Sequence, residues 1–378
     1  MSSAPESVTY VLVVAGALSL WSCAPAPAER AAGIDVSATV LDARTSVPAS
    51  DSLVSRALGS AEIIDRPWMI GLAGDLVVVT DLDPPHIHLF DRGTGQHLKS
   101  FGAAGEGPGE FSNGPSLLRA GLLRDTMWLL DGPRRRLTGY AVGSLVRANP
   151  SAGARIVNLP ALMLQSIDGP DAEGLFFATS DDPRDGMRLM HLSGQSGAVV
   201  KSVPIDVGDL RPSPEYVPRA YSHRACLQGD VKGLYLVYRY AGRIDRISAE
   251  TDQVQGVAVP FRWLPFVSPD TINPKLVTFG GSRPLVRRAY SDCYVTADRF
   301  YAMYSGRLRG EQQNPSPRAE VHVFDLAGHL QRVVVLDHAS NVFVVTPDNG
   351  TLYSIAEESG GWVIRVSTLG NAGGTARR

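Results

Sequence analysis

The sequence predicts an all-β fold, and within it a six-bladed β-propeller built from four-stranded antiparallel blades. Short runs of Val, Ile, Leu, Tyr and Phe, bounded by Gly, Asp and Pro, recur along the whole chain, and long helical periodicity is scarce. The 38 Gly and 26 Pro among 378 residues supply the turns that many short strands need. A unit of roughly fifty residues also repeats, which is typical of propellers.

The repeat is clearest in two segments that align without a gap. "GDLVVVTDLDPPHIHLFDRGTG", which starts at Gly74, matches "RDTMWLLDGPRRRLTGYAVGS", which starts at Arg124, so that Asp81 corresponds to Asp131. Weaker copies of this order of strand, turn, strand and glycine start at Glu173, Lys232, Asp298 and Asn349. With an inner strand ahead of each, such as "RAYSDCYV" or "NVFVVTP", the six units predict six blades of four strands.

The ring is expected to close through an N-terminal strand. The last unit supplies only three strand-like runs before the glycine-rich tail "GNAGGTARR". The run "IDVSATVLDA", Ile34–Ala43, can complete that blade and cover its exposed edge, which would otherwise invite pairing with another chain. The propeller is therefore predicted to span residues 34–370, followed by a disordered tail at residues 371–378.

The N-terminus has the features of an export signal. Val8–Trp21 is an uncharged apolar run of fourteen residues, shorter than the roughly 20 that span a membrane as a helix. Leu20–Cys23 resembles the bacterial lipobox, which implies removal of a signal peptide at residues 1–22 and lipid attachment to Cys23. Residues 23–33 are predicted to form a stiff Pro/Ala-rich tether. We therefore expect a lipoprotein of the bacterial cell envelope that contacts the membrane only through its lipid; plain secretion and an uncleaved anchor remain alternatives.

Charge and cysteine content bear on other classes of protein. The formal net charge of −2 gives no overall attraction to nucleic acid or to an anionic membrane, so no nucleic-acid partner is predicted. Besides Cys23, only Cys226 and Cys293 remain. Their spacing fits no metal or redox motif, and they are expected either to pair in an oxidising envelope or to stay as buried thiols.

The glycine-rich stretch "FGAAGEGPGEF", Phe101–Phe111, invites comparison with a phosphate-binding loop, and it fails. Pro108 lacks an N–H donor, Glu106 and Glu110 would repel phosphate, and no lysine follows. Its glycines instead suit a sharp turn from the first blade to the second. The sequence therefore predicts no nucleotide site.

Part of this stretch, "GEGPGEF", resembles the linker between NHL repeats and between the blades of the bacterial TolB-like six-bladed propellers. The units at Gly74 and Arg124 are also similar to the NHL order of strand, Asp, basic or polar turn, Ile, aromatic residue and Gly, and the likeness is good over residues 68–145. The resemblance implies a propeller that binds proteins, glycans or nucleic acid, and it transfers no catalytic residue.

Histidines and arginines on the strands and turns are not predicted to bind metal or anions. His86 and His88 share one face of a strand, an arrangement that can bind a metal. His88, however, recurs as His191 and His322 in other units, and residues on different blades cannot share one ion. We expect these histidines to face solvent, and Arg134–Arg136 to form an exposed basic turn.

The best candidate for a binding site lies where two inner strands begin with the same residues. "RAYS" occurs at Arg219–Ser222 and at Arg288–Ser291, followed by His223 and Asp292. Because inner strands line the channel of a propeller, these side chains are expected to meet near its mouth and to hold an acidic or sugar-like ligand. The predicted ligand-binding residues are Arg219, Tyr221, His223, Arg288, Tyr290 and Asp292. The alternative is that they satisfy only one another.

Catalysis has little support in the sequence. There is no Gly-x-Ser-x-Gly motif, and the inner strands offer no full set of metal ligands, so no catalytic residue, metal or cofactor is predicted. We expect a binding scaffold for an unidentified envelope protein or a small acidic or sugar ligand. Two alternatives stay open, a divalent-metal-dependent propeller enzyme of the lactonase or lyase type and an accessory subunit of a membrane complex. The segment Gly306–Glu320 is long and polar, and it is either a loop that docks a partner or a disordered insertion.

Overall fold

Six four-stranded antiparallel sheets form a ring, which confirms the predicted β-propeller. The computed structural model describes residues 50–60, 63–120, 122, 125–147, 153–162, 164–182, 186–205, 222–227, 233–248, 251–257, 259–261, 263, 265, 267–269, 277–279, 286–308 and 319–370. The strands of each blade are called inner, second, third and outer, in order from the axis. Consecutive strands of a blade are neighbours in the sheet, so the connecting turns alternate between the two faces of the ring.

The strand bounds follow the repeat. Blade 1 contains Pro67–Ala73, Leu76–Asp81, Ile87–Asp91 and His97–Phe101, and blade 2 contains Ser116–Leu118, Thr126–Asp131, Arg136–Ala141 and Arg155–Asn158. Blade 3 contains Leu164–Asp168, Leu175–Asp182, Gly186–Ser193 and Val199–Pro204, and blade 4 contains His223–Leu227, Gly233–Tyr238, Ile244–Ser248 and Val254–Gly256. Blade 5 contains Tyr290–Val295, Arg299–Tyr304, Glu320–Asp325 and Leu330–Leu336, and blade 6 contains Phe343–Val345, Thr351–Glu358, Gly361–Thr368 and Ser55–Ser60.

Smaller elements lie outside the blades. Ala103–Ala104 pairs with Glu110–Phe111, Val267–Pro269 pairs with Val277–Phe279, and Val142–Ser144 forms one 3-10 turn. Among the residues that the structure describes, no helix has the length and apolar character to cross a membrane.

An N-terminal strand closes the ring, but it is a different strand from the one predicted. Ser55–Ser60 pairs antiparallel with Gly361–Thr368 and completes blade 6, so the prediction of Ile34–Ala43 for this role is wrong; residues 34–43 lie outside the described chain. Ser50–Leu53 adds in parallel to the outer strand of blade 5. The closing strand escapes sequence reasoning because Leu58 is its one buried side chain among those described, which leaves little apolar pattern.

The core lies between the faces of neighbouring blades. The second strands are buried on both faces: Val77, Val78 and Val79 of blade 1 are all 0% exposed. Separate apolar clusters fill the contacts from blade 1 to blade 5, and one large cluster joins blades 5, 6 and 1. Covering both faces explains the continuous apolar runs in the sequence.

The same packing overturns the prediction that the third-strand histidines face solvent. His88, His191 and His322 are 1%, 6% and 0% exposed. Their ring nitrogens meet polar partners, with His88 Nδ1 2.8 Å from Ser100 Oγ and His191 Nε2 3.1 Å from Asp252 Oδ1. The three lie on blades 1, 3 and 5, as the repeat predicts, and a third strand packed on both sides offers them no solvent-facing side.

The glycine-rich stretch is the predicted connection between blades 1 and 2, with positive φ at Gly102 (89°) and Gly109 (80°). The basic turn beside it is not simply solvated, contrary to prediction. Arg136 is 8% exposed, and its Nη1 donates to the carbonyl of Glu106 at 2.9 Å. Arg134 donates to the carbonyl of Gly105. These two arginines hold the linker through hydrogen bonds to its backbone carbonyls.

Candidate functional site

A buried ion pair closes the axis of the propeller. Arg119 follows the inner strand of blade 2, and its guanidinium reaches across to Asp292 of blade 5. Nη1 donates to Oδ1 at 3.0 Å and Nη2 donates to Oδ2 at 2.8 Å, the fork geometry that Arg and carboxylate prefer. The side chains are 6% and 0% exposed. The centre of the channel is therefore filled at this level by protein.

Three more blades contact this pair. Phe343 of blade 6 donates its N–H to Asp292 Oδ2 at 3.1 Å, and Nη1 of Arg224 in blade 4 lies 3.2 Å from Asp292 Oδ1. On the other side, Arg119 Nε donates to the carbonyl of Ile70 in blade 1 at 3.0 Å. Asp292 and Arg119 thus connect five of the six blades at the centre of the ring.

Asp168, at the end of the inner strand of blade 3, connects this remaining blade to the centre of the ring. Its carboxylate accepts the N–H groups of Ala120, Gly169 and Leu227 at 3.2, 2.9 and 2.8 Å. Burial raises the pKa of Asp168, although these N–H groups and the positive charge of Arg119 act in the opposite direction. A small cavity beside Asp168 and Arg119 has room for about one water molecule.

A disulfide fixes the inner strands of blades 4 and 5 next to this centre. Cys226 and Cys293 are bonded to one another and are 5% and 0% exposed. Of the two outcomes expected for these cysteines, the structure shows the paired one.

The structure separates the predicted ligand-binding residues. Arg219 and Tyr221 lie outside the described residues. His223 is 7% exposed and its Nε2 lies 2.6 Å from Thr179 Oγ1 of blade 3. Tyr290 is 2% exposed, and its hydroxyl lies 3.1 Å from Nδ1 of His322. Burial raises the pKa of Tyr290 well above 10. His223 and Tyr290 therefore pack between blades, while their role in ligand binding stays a prediction.

A β-bulge explains why Tyr290 and Asp292 do not share one side of their strand. Residues two apart normally point the same way. The register of this strand against Arg299–Tyr304 shifts between Tyr290 and Asp292, so Tyr290 packs against blade 4 side chains while Asp292 reaches the axis. Arg288 precedes the strand, is half-buried, and donates its N–H to the carbonyl of Arg307 at 2.8 Å.

Four arginines lie on the same face of blades 4 and 5, at the start of the inner strands or just after the second strands. Arg224, Arg239, Arg288 and Arg307 are called the arginine-rich mouth. The carbonyl of Arg239 accepts the N–H of Ala289 at 2.8 Å, so hydrogen bonds join all three backbone segments around Arg224. Burial lowers the pKa of Arg224; Asp292 opposes this shift, and the positive charges of Arg119 and Arg239 add to it. Arg224 is therefore the guanidinium on which the charges of Arg119, Arg239 and Asp292 act together.

Within the described residues, part of this positive charge has no carboxylate partner of its own. Arg224 shares Asp292 with Arg119, and its buried Nη1 makes no well-directed hydrogen bond. Within the described part of the chain, neither Arg239 nor Arg307 forms an ion pair. Sequence reasoning found Arg288 and missed the other three. The signal for Arg224 was a charge inside the strand "HRACL", since charged residues are rarely buried unless they are paired.

Two chains of Asp, His and Ser have the residue order of a catalytic triad, but neither is arranged to act as one. Asp337 Oδ1 lies 2.8 Å from His338 Nδ1, and His338 Nε2 lies 2.8 Å from Ser354 Oγ, as in a serine hydrolase. Ser354 is 0% exposed, so no substrate carbonyl can reach it. In the second chain His88 Nδ1 lies 2.8 Å from Ser100 Oγ, but His88 Nε2 is 3.7 Å from Asp81 and makes no hydrogen bond. The first chain links blade 5 to blade 6, and the second lies within blade 1.

Metal binding has no candidate cluster in the described residues. Nowhere in that part of the chain do three or more His, Cys, Asp or Glu side chains come together in a way that could hold an ion.

Comparisons with known proteins support the propeller fold. The model of the family described as "TolB-like 6-blade propeller-like" matches residues 265–348, which include blade 5. This match falls outside residues 68–145, where the repeat is clearest. No curated protein matches the sequence.

Two solved bacterial structures are similar over most of their length. A protein described as exported, from Bacteroides fragilis, shares 10% identity at a TM-score of 0.51, covering 83% of this chain and 94% of that one. A member of the duf4221 family from Bacteroides vulgatus shares 10% identity at a TM-score of 0.53, covering 84% and 96%. At such identity the likeness concerns the fold.

Proposed function

We propose that this protein is a binding scaffold outside the cytoplasm and that the arginine-rich mouth takes an acidic ligand. The observation that supports the proposal is that, among the described residues, Arg239 and Arg307 form no ion pair, while Arg119 and Arg224 share one carboxylate, Asp292. Guanidinium and carboxylate groups form paired, charge-assisted hydrogen bonds, as Arg119 and Asp292 do already. A ligand carboxylate would supply the missing negative charge.

The ion pair on the axis limits where such a ligand sits. Because Arg119 and Asp292 fill the centre, the ligand stays at the surface of the mouth and does not enter a channel. Rigid blades hold the arginine backbones in place, so little ordering is needed on binding. An acidic segment of an envelope protein offers the same carboxylates as a small acid.

Location outside the cytoplasm has three supports. The N-terminal apolar run suits a signal peptide, the disulfide fits an oxidising compartment, and a structurally similar protein is described as exported. We propose that lipid on Cys23 holds the propeller at the membrane. Palmitate labelling of the full chain, lost in a Cys23→Ser variant, would test the anchor; equal labelling of both would exclude it.

The ligand class can be tested by calorimetric titration of the full chain with citrate, a small tricarboxylate. We expect binding that weakens as salt rises, and a loss of about tenfold in affinity in the Arg307→Gln variant, since a charge-assisted hydrogen bond contributes ~1.5–3 kcal/mol. The matched control is Arg56→Gln, an exposed arginine on the closing strand. Identical titrations for the wild type and Arg307→Gln would rule out the mouth as the site. Co-purification of an envelope protein that Arg307→Gln abolishes would identify a macromolecular ligand.

A further inference from the structure

We propose that a cleft between blades 2 and 3 binds a neutral sugar ring. The cleft lies at the turn from the inner to the second strand of blade 3 and at the turn from its third to its outer strand. The arginine-rich mouth uses the other set of turns, so the two sites are on opposite faces of the ring. The cleft has a volume of about 230 Å³, smaller than the ~300–1,000 Å³ of most small-molecule pockets, which restricts it to a ligand of about one ring.

The floor of the cleft is aromatic and carries a hydrogen-bond donor. Trp128 lies flat over Gly139, where a Cβ atom would come within 2.8 Å of the indole ring. Its ring meets Phe176 edge-on, with centroids 5.1 Å apart. Trp128 is only 3% exposed, yet among the described residues its indole N–H has no acceptor. The nitrogen is not fully enclosed, so this donor is available to a ligand oxygen.

The rim of the cleft combines one positive, one negative and one neutral polar group. The Arg155 guanidinium lies 5.7 Å from the centroid of the Trp128 ring, and its Nη2 donates to the carbonyl of Gly194 at 2.7 Å. Glu173 and Gln195, both exposed, also line the cleft. Arg155 has further N–H donors besides the one bonded to Gly194, Glu173 supplies hydrogen-bond acceptors only, and Gln195 supplies both donors and acceptors.

This set of groups selects for a neutral polyhydroxyl ligand. A simple anion would be repelled by Glu173 and a simple cation by Arg155, while an apolar ligand would leave the rim groups without partners. A pyranose ring carries adjacent hydroxyls that each donate and accept, which suits the planar side chains of Arg155, Glu173 and Gln195.

The proposal is tested by saturation-transfer NMR on the detergent-solubilised full chain. The probes are the methyl glycosides of glucose, galactose and mannose, together with N-acetylglucosamine. We expect at least one of them to receive saturation and to titrate to a single site. In Glu173→Ala and in Gln195→Ala the dissociation constant should rise about tenfold, because each variant removes hydrogen bonds to the sugar. Both side chains are exposed, so the melting temperature should not change.

Two control variants test whether sugar binding depends on this cleft. Gln96→Ala alters an exposed glutamine in the corresponding turn of blade 1 and should leave sugar binding unchanged. Arg307→Gln should also leave it unchanged, because the inference does not depend on the arginine-rich mouth. The proposal is overturned if none of the four sugars receives saturation, if Glu173→Ala and Gln195→Ala bind them as the wild type does, or if only charged probes such as glucuronate or glycine bind.

Discussion

At the scale of single residues, Asp292 stands out because one carboxylate joins three other blades to its own. A buried charge costs several kcal/mol unless partners compensate it. Asp292 has a bidentate guanidinium from Arg119, a second guanidinium from Arg224 and the N–H of Phe343. Arg119 and Arg224 in turn have Asp292 as their counter-charge, so a substitution of Asp292 should affect the stability of the whole centre.

We expect Asp292→Asn to destabilise the protein strongly. The variant keeps the size of the side chain but leaves two arginines at the axis without a counter-charge, and breaking a buried pair costs ~3–5 kcal/mol. Urea unfolding measures the loss, and Ser291→Ala, at the neighbouring half-buried position, is the control and should change little. An unchanged unfolding midpoint in Asp292→Asn would mean that the axis is not held by charge.

At the scale of elements, the glycines in the turns between third and outer strands are contacts between blades. Gly95, Gly197 and Gly328 have φ angles of 74°, 73° and 91°. A Cβ on Gly95 would lie 1.6 Å from the carbonyl oxygen of Leu58, and one on Gly197 would lie 1.9 Å from that of Asn158. Each turn therefore rests on the outer strand of the preceding blade, which explains why this part of the repeat keeps glycine.

Gly95→Ala should therefore weaken the contact between blade 1 and the closing strand. The left-handed conformation alone costs ~1–2 kcal/mol for alanine, and the clash with the backbone of Leu58 adds to that. Gly93→Ala, in the same turn, is the control, since its Cβ would meet nothing closer than 3.5 Å. Thermal unfolding compares the two; equal melting temperatures would remove the role assigned to Gly95.

Asp337 ties the start of the closing strand to the end of blade 5 and makes that junction sensitive to acid. Partial burial raises the pKa of Asp337, but hydrogen bonds from the N–H and hydroxyl of Ser55 and from His338 outweigh it and bring the pKa from 3.8 to about 2. Because the pKa is lower in the folded state, the stabilisation is fully present above about pH 4 and is lost as the pH falls toward 2.

Asp337→Asn should accordingly lower the free energy of unfolding at pH 6 by less than about 1 kcal/mol, since the carboxylate is 37% exposed. The difference from the wild type should shrink at pH 2.5, because the carboxyl group is then protonated in the unfolded chain and in part of the folded protein. Asp75→Asn, at a carboxylate that is 94% exposed, should show no such trend. Urea unfolding at the two pH values measures this difference. If the difference in the free energy of unfolding between the wild type and Asp337→Asn is the same at both, the role of Asp337 is contradicted.

At the scale of the whole molecule, the ring depends on one N-terminal segment and on its centre. Residues 50–60 supply the outer strand of blade 6 and a fifth strand on blade 5, while Arg119, Asp292 and Asp168 connect all six blades at the axis. The outside and the inside of the ring are thus fixed by different means, the first by backbone hydrogen bonds and the second by buried charge.

A chain that begins at residue 61 should therefore lose much of its stability, whereas one that begins at residue 49 keeps the closing strand. We expect the melting temperatures of these two chains to differ by more than about 5 °C, because an open blade edge costs several kcal/mol. Equal values would show that the ring closes without Ser55–Ser60.

The sequence was sufficient for the fold and insufficient for the site. The aligned units at Gly74 and Arg124 carry the blade pattern, because burial of the strands on both faces repeats along the chain. Arg119 and Asp292, in contrast, are 173 residues apart and meet only once the ring closes, so no local pattern links them. The residue pattern places Tyr290 at the mouth because the bulge after it leaves no trace in the sequence.

The parallel pairing of Ser50–Leu53 with the outer strand of blade 5 also has a mechanical consequence. Its four residues face Val333, Val334, Val335 and Leu336 in register. A pull on the chain ahead of Ser50, directed along the strand, loads these hydrogen bonds together in shear and does not peel them apart one at a time. The segment can thus take up tension before it reaches Ser55–Ser60, and the closing strand of the ring is spared.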